Sequence, residues 1–168
     1  MRIVPLMRIV PLMLVAACSA QAPFGTWKPN ASGSTFSGGT QPKSFIVRIE
    51  PHPKGEVFTL DRTEADGRTT SSSTILYFDG AARDFQDFDC TGTQSSRRLD
   101  SQTVEILRQC SAGEAIRLVR RTSTNQNELV LEITETHTDG RRSERRLVLS
   151  KQRAPLGAHG NGVTIHVH

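Results

Sequence analysis

Short segments in which apolar and polar residues alternate follow one another from residue 44 to residue 152, separated by turns. Ser44–Glu50 is the first of them, and it places Phe45, Val47 and Ile49 on one face of an extended chain. No segment repeats apolar residues at helical spacing over a length that predicts a helix. The sequence therefore predicts an all-β domain.

Turn residues bound these segments. Asp66-Gly67 favours the positive φ angles of a type I′ hairpin, and the two prolines of residues 51–55 cannot continue a strand ladder. The predicted strands are Ser44–Glu50, Glu56–Thr63, Thr69–Phe78, Asp84–Thr91, Thr93–Leu99, Thr103–Cys110, Ala115–Thr122, Glu128–Thr136 and Arg141–Ser150. We expect an antiparallel up-and-down meander of about 8–10 strands, closed into a barrel because closure removes the exposed edges. A sandwich is the alternative.

The first 17 residues have the pattern of a signal peptide for export. A basic residue, Arg8, precedes an apolar run over residues 9–17 and a group of small residues. The run is shorter than the roughly 20 apolar residues of a transmembrane helix. Residues 1–6 are repeated as residues 7–12, so Met1 and Met7 both fit the start of translation.

Two processing routes follow from this signal. Val15-Ala16-Ala17-Cys18 resembles the lipobox of bacterial lipoproteins, in which the cysteine receives the lipid. Cleavage after Ala22 would instead release a soluble periplasmic or secreted protein, but it would place Pro23 directly after the cut bond, where a protease accepts proline poorly. We therefore expect lipidation of Cys18 and a membrane-anchored lipoprotein that faces the periplasm or the cell surface.

The remaining cysteines, Cys90 and Cys110, form an even pair in an exported chain. Thiols in an oxidising compartment usually pair, so we expect a disulfide between them, with two buried free cysteines as the alternative. Their spacing differs from a C-x-x-C redox motif.

Charge argues against nucleic acid as a partner. The chain has 21 basic and 17 acidic residues, and Arg2 and Arg8 belong to the predicted signal peptide. Paired arginines such as Arg120-Arg121 lie on predicted strands whose neighbours carry glutamates, so cross-strand ion pairs explain them.

No motif for catalysis or cofactor binding is present. The sequence has no nucleophile elbow, P-loop or H-E-x-x-H motif, so we expect neither an enzyme nor a cofactor. The acidic run Asp84–Asp89 lacks the glycine and glutamate of a calcium loop and is interpreted as a polar strand edge. In residues 153–168, His166 and His168 lie on one face as weak candidate metal ligands, and we expect a flexible, solvated tail.

The motif Gly25-Thr26-Trp27-Lys28 opens the chain after the signal. A G-x-W motif at the start of a meander barrel resembles the first strand of lipocalins. More closely, the chain resembles small secreted bacterial proteins, frequent in acidobacterial genomes, over residues 24–152. The shared elements are G-T-W-K, Asn30, Ser34, Phe36, Pro42-Lys43-Ser44, Asp66-Gly67, Asp139-Gly140 and Lys151-Gln152, while Gly33 stands where the group has a lysine. The resemblance implies a lipocalin-like barrel without catalytic residues, and we expect Gly25 and Trp27 to close one end of it.

The expected organisation is therefore a signal peptide over residues 1–17, an N-terminal strand and polar loop over 18–43, the meander over 44–152 and the tail. Aromatic residues either fill the barrel or line a ligand cavity; they are Phe45, Phe58, Tyr77, Phe78, Phe85 and Phe88. We expect a non-catalytic envelope lipoprotein that binds a small apolar or amphipathic molecule. A structural or protein-interaction module that uses its charged outer face is the alternative.

Lipidation of Cys18 is tested by the intact mass of the protein from the native host's membrane fraction. We expect a chain that begins at Cys18 and carries acyl groups, with the mass of two further hydrogens after reduction of the disulfide. A soluble product that begins beyond Cys18 would contradict the lipoprotein assignment.

Overall fold

The computed structural model describes residues 23–30, 33–36 and 43–153. Every regular element within these ranges is a β-strand, which confirms the predicted all-β meander. None of the described residues forms a helix that could cross a membrane. The predicted signal peptide with Cys18 and the tail with His166 and His168 lie outside the described residues.

The described strands form one antiparallel sheet that curls into a nearly closed barrel. Ten strands follow the order β5-β4-β3-β1-β11-β10-β9-β8-β7-β6, and the two-residue β2 pairs with β11. Their bounds are β1 Gly25–Pro29, β2 Thr35–Phe36, β3 Ser44–His52, β4 Gly55–Thr63, β5 Thr69–Leu76, β6 Arg83–Gln86, β7 Thr91–Arg98, β8 Thr103–Cys110, β9 Ala115–Thr122, β10 Glu128–Thr136 and β11 Arg142–Lys151.

Two joints close the ring. β1 pairs with β3 on one side and with β11 on the other, so Trp27 lies opposite both Val47 and Lys151. At the other joint, β5 faces β6 and β7 across a gap that side chains bridge. There Gln94 Nε2 donates to Thr74 Oγ1 at 3.0 Å, and the Phe78 N–H donates to Ser96 Oγ at 3.2 Å.

Three predicted strands, β8, β9 and β10, match the structure to the residue, and others differ at their ends. Pro51 belongs to β3 rather than to a turn, because it lies beyond Ile49, the last residue of β3 that pairs with β1. The strand predicted to reach Phe78 ends at Leu76, since Phe78 has a positive φ of 61°. β6 ends at Gln86 because the side chain of Asp87 starts a turn.

The two Asp-Gly turns are not type I′ hairpins. Only the glycine of each pair, Gly67 or Gly140, has a positive φ. Each loop has three residues, with the Gly67 N–H donating to Glu64 O at 2.9 Å and the Gly140 N–H to His137 O at 3.0 Å. This is a type I turn followed by a left-handed glycine, in which the aspartate side chain accepts the backbone N–H of the residue after the glycine, Arg68 or Arg141.

The disulfide between Cys90 and Cys110 is present and joins the loop after β6 to the end of β8. It packs with Phe85 and Ile116 in a small cluster separate from the main core. Gly92 lies opposite Cys110, where a Cβ atom would come within 2.0 Å of the Gln109 carbonyl oxygen, so the two strands approach closely beside the disulfide.

Replacing both Cys90 and Cys110 by serine should lower the free energy of unfolding by about 3 kcal/mol, because the unfolded chain loses its cross-link. Urea unfolding followed by the fluorescence of Trp27, the only tryptophan, measures the change. Reduction of the wild-type protein should lower the midpoint similarly. An unchanged midpoint in the double variant would contradict the prediction.

Candidate functional site

One end of the barrel is packed shut around Trp27. This side chain is fully buried, and its Nε1–H donates to the carbonyl oxygen of Pro23 at 3.1 Å. Lys151 Nζ lies 5.4 Å from the centre of the indole ring. A Cβ atom on Gly25 would lie 3.0 Å from the Lys151 side chain, so the glycine makes room for this contact. Trp27 thus lies beside Lys151, the last residue of β11, with its indole inside the barrel.

A buried ion pair spans the interior between β4 and β9. Arg120 Nη1 donates to Glu56 Oε1, and both side chains are about 1% exposed. Within the described residues, Glu56 Oε2 and Arg120 Nε have no hydrogen-bond partner. Such a pair depends on both members, because either one alone would leave an uncompensated charge in the core.

The other end of the barrel contains a cavity of about 350 Å³. Its apolar walls are formed by Phe45, Phe58, Leu60, Phe88, Ile116, Leu118, Leu131, Ile133 and Leu147. Its charged lining consists of Arg62, Glu64, Asp87, Asp89, Arg108, Glu135 and Arg145. The cavity therefore combines an apolar wall with a set of charges.

Strand register explains why three arginines enter this cavity. Each is paired across strands with an apolar residue of the wall: Arg62 with Phe45, Arg108 with Ile116 and Arg145 with Ile133. Paired residues of neighbouring strands point to the same face of a sheet, so the three guanidinium groups share the inner face with the apolar wall. They come from β4, β8 and β11, on different sides of the ring.

Residues 87–90, here called the mouth loop, hold two of these arginines. Arg108 Nη1 donates to Asp87 Oδ2 at 2.7 Å, and Arg62 Nη1 donates to Asp89 Oδ2 at 2.7 Å. The guanidinium of Arg62 also lies over the ring of Phe88, 5.0 Å from its centre. The loop is fixed by its disulfide and by Asp87 Oδ1, which accepts the N–H groups of Asp89 and Cys90.

Two acidic residues outside the mouth loop also contact the arginines. Arg62 contacts Glu64, and Arg145 contacts Glu135. Burial lowers the pKa of both Arg108 and Arg145, whereas the hydrogen bond to Asp89 raises the pKa of Arg62. Arg108 and Arg145 are thus charged groups with incomplete access to water.

The predicted aromatic residues have different positions. Phe45, Phe58 and Phe88 line the cavity. Phe78 packs against the main core beneath Arg98, and Phe85 packs beside the disulfide. Tyr77 lies outside this cavity, under the guanidinium of Arg83 at the gap between β5 and β7. The interior is therefore packed at one end and open at the other.

Sequence reasoning missed the inward-facing charges, although the sequence contains a sign of them. On β8, Val104, Ile106 and Arg108 alternate on one face, so the arginine occupies a position that the pattern assigns to the core. The same applies to the other inward charges on strands, which are Glu56, Arg62, Arg120, Glu135 and Arg145. The sign in the sequence was a charged residue at a position where the alternation of the strand otherwise places an apolar one.

Outside the barrel, charges pair across strands as the sequence indicates. Glu105 is only 4% exposed and accepts from Arg97 at 2.6 Å and from Arg117 at 2.7 Å. Burial opposes ionisation of Glu105, but these two arginines together lower its pKa. Arg121 donates to Glu132 in the same way.

Asp87 and Asp89 form ion pairs with arginines rather than a polar strand edge, while Asp84 lies exposed on β6. In the part of the chain that the structure describes, no three His, Cys, Asp or Glu side chains are grouped to hold a metal ion.

The buried pair gives a direct stability test. Glu56→Leu should lower the free energy of unfolding by about 3–5 kcal/mol, because Arg120 would remain buried and uncompensated. The double variant Glu56→Leu/Arg120→Met should recover most of this loss, since it leaves no unpaired charge. Urea unfolding of the single and double variants measures the coupling. A double variant that loses as much free energy of unfolding as the two single variants together would contradict the coupling of Glu56 and Arg120.

Comparison with known proteins supports the fold. No protein-family model and no curated protein sequence matches the chain. Among solved structures, the chain is similar to a Schistosoma mansoni fatty acid binding protein in complex with arachidonic acid, with a TM-score of 0.51 and 11% identity over 80% of this chain and 98% of that one. It is also similar to the zebrafish ileal bile acid-binding protein complexed with cholic acid, with a TM-score of 0.49 and 12% identity over 77% of this chain and 98% of that one. The chain thus has a lipocalin-like, up-and-down barrel fold.

Proposed function

We propose that the protein binds one small apolar or amphipathic molecule in its barrel cavity and performs no catalysis. The observation that carries this proposal is the cavity of about 350 Å³ with nine apolar side chains in its wall. Ligand pockets usually have volumes of about 300–1,000 Å³ and mostly apolar linings with a few polar groups. The volume and the lining both fit that description.

The fold comparison supports the same class of ligand. The Schistosoma mansoni protein of similar fold is a fatty acid binding protein in complex with arachidonic acid. Barrels of this size either fill their interior with side chains or enclose one small ligand. This chain fills the Trp27 end and leaves the opposite end open, so a single ligand at that end is the arrangement we propose.

A lipid anchor at Cys18 would set the orientation of the barrel. Pro23, whose carbonyl oxygen accepts the indole N–H, belongs to the packed end and follows Cys18 by five residues. Five residues span at most about 18 Å. We therefore propose that the packed end lies nearer the membrane and that the cavity opens away from it, toward the periplasm or the medium.

The charged outer face supports a second function, a structural or protein-interaction module. It has less support, because several of the described outer charges already pair with one another. Glu105 is held by Arg97 and Arg117, and Arg121 by Glu132. Pairs of this kind stabilise neighbouring strands and leave less charge for a partner.

Binding of N-phenyl-1-naphthylamine, a neutral dye that fluoresces in apolar surroundings, tests the proposal. We expect saturable binding to the wild-type protein and displacement by 1-dodecanol. Ile133→Trp should weaken binding of the dye by about 10-fold or more, because the larger side chain fills the cavity.

Leu107→Trp is the matched control, since Leu107 is 42% exposed on the outer face of β8. It adds the same side chain outside the barrel and should change the affinity by less than about 2-fold. Circular dichroism verifies that both variants are folded. Absence of saturable binding to the wild type, or equal losses in both variants, would overturn the proposal.

A further inference from the structure

Resting on the proposed function, the geometry points to an anionic head group on the ligand. We propose that Arg62, Arg108 and Arg145 bind this head group, and that it replaces Asp87 and Asp89 of the mouth loop as their partner. The ligand class is then an amphipathic anion, with its tail against the apolar wall and a carboxylate or similar group among the guanidinium ions.

The first argument is the convergence of the three arginines on one cavity. They approach it from β4, β8 and β11, and each lies beside an apolar residue of the wall. Guanidinium groups donate several hydrogen bonds in a planar fork, which suits the two oxygens of a carboxylate. An amphipathic anion therefore finds apolar contacts and hydrogen-bond donors in the same cavity.

The second argument is that the mouth loop already holds anions among these arginines. Asp87 Oδ2 lies 2.7 Å from Arg108 Nη1, and Asp89 Oδ2 lies 2.7 Å from Arg62 Nη1. Both carboxylates belong to the mouth loop, whereas Glu135 lies on β10 and Glu64 follows β4, where its backbone hydrogen bonds to Arg68 and Gly67 close the tight turn to β5. The loop carboxylates are therefore the partners that a ligand can replace while the wall stays in place.

The charge count favours an anion once the carboxylates of Asp87 and Asp89 are displaced from the arginines. With the loop in place, three arginines face four carboxylates in the cavity lining. Without Asp87 and Asp89, the same three arginines face two carboxylates, and the lining changes from net negative to net positive. A cationic head group would need Glu64 or Glu135, which already contact Arg62 and Arg145.

The two loop pairs differ in how readily they open. The side chain of Asp89 is 67% exposed, so water and salt screen its pair with Arg62 and the pair is weak. Asp87 is 10% exposed and its pair with Arg108 is shielded. An anion inside the cavity is also shielded from water, so it can compete with Asp89 first and with Asp87 after the loop has shifted.

Displacement of N-phenyl-1-naphthylamine by three ligands with the same tail tests the inference: dodecanoate, 1-dodecanol and dodecylammonium. The test variant is Asp87→Asn/Asp89→Asn, in which the amide oxygen introduced at position 87 can still accept the backbone N–H groups that shape the loop. We expect it to bind dodecanoate about 10-fold more tightly than the wild type does, with affinity for dodecanol within about 2-fold. Arg62→Gln should weaken dodecanoate binding selectively.

Asp84→Asn is the matched control, because Asp84 lies on the neighbouring β6 and is not part of the cavity lining. It removes one negative charge outside the cavity lining, whereas the test variant removes two that line it, and it should leave the preference for dodecanoate over dodecanol unchanged. An equal change for dodecanoate and dodecanol in the loop variant, or a gain for dodecylammonium, would overturn the anionic head group and leave the proposed function standing. If neither the dye nor dodecanol binds the wild type, the proposed function fails, and this inference fails with it.

Discussion

The barrel depends on β1, a strand of five residues that pairs with both β3 and β11. Within the described sheet, β1 is the connection between the first hairpins and the later meander. Its central residue, Trp27, also supplies the side chain that fills the packed end. One short segment thus closes the ring by backbone pairing and seals one opening by burial of a large aromatic ring. The other joint, between β5 and β7, is bridged mainly by side chains and is the weaker of the two.

Packing at the Trp27 end determines where a ligand has room. Trp27, Ile49, Leu76 and Leu129 are each at most 1% exposed, so the interior there is filled. Toward the opposite end, arginines and glutamates line the cavity and keep contact with water or with each other, whereas Glu56 and Arg120, which do not line it, are buried against each other. Open space and water-accessible inward charge therefore coincide at the cavity end. A ligand with a tail and a polar head fits this arrangement in one orientation.

The strands could be predicted from the sequence because alternation with a period of two is a local property. β8, β9 and β10 match to the residue for this reason. The same alternation places Arg108 and Arg120 on the inward face, so part of the candidate site could be predicted from the sequence. Their partners were not: Glu56 is 64 residues away from Arg120, and only the closed ring brings them together. The turn at Asp87 also escaped prediction, because it depends on one side chain that accepts two backbone N–H groups.

On the proposed function, the charges that line the cavity serve binding rather than stability. Buried ion pairs often contribute no more than apolar residues of the same size, because removing two charges from water costs free energy. Apolar residues would serve stability at least as well at the positions of Arg108 and Arg145. Burial lowers the pKa of both arginines, which shows that their charged forms are held at a cost. Unusual charges that line a cavity point to a functional site. The disulfide at the end of the mouth loop fits the same explanation, since it fixes one end of the segment whose carboxylates occupy those arginines.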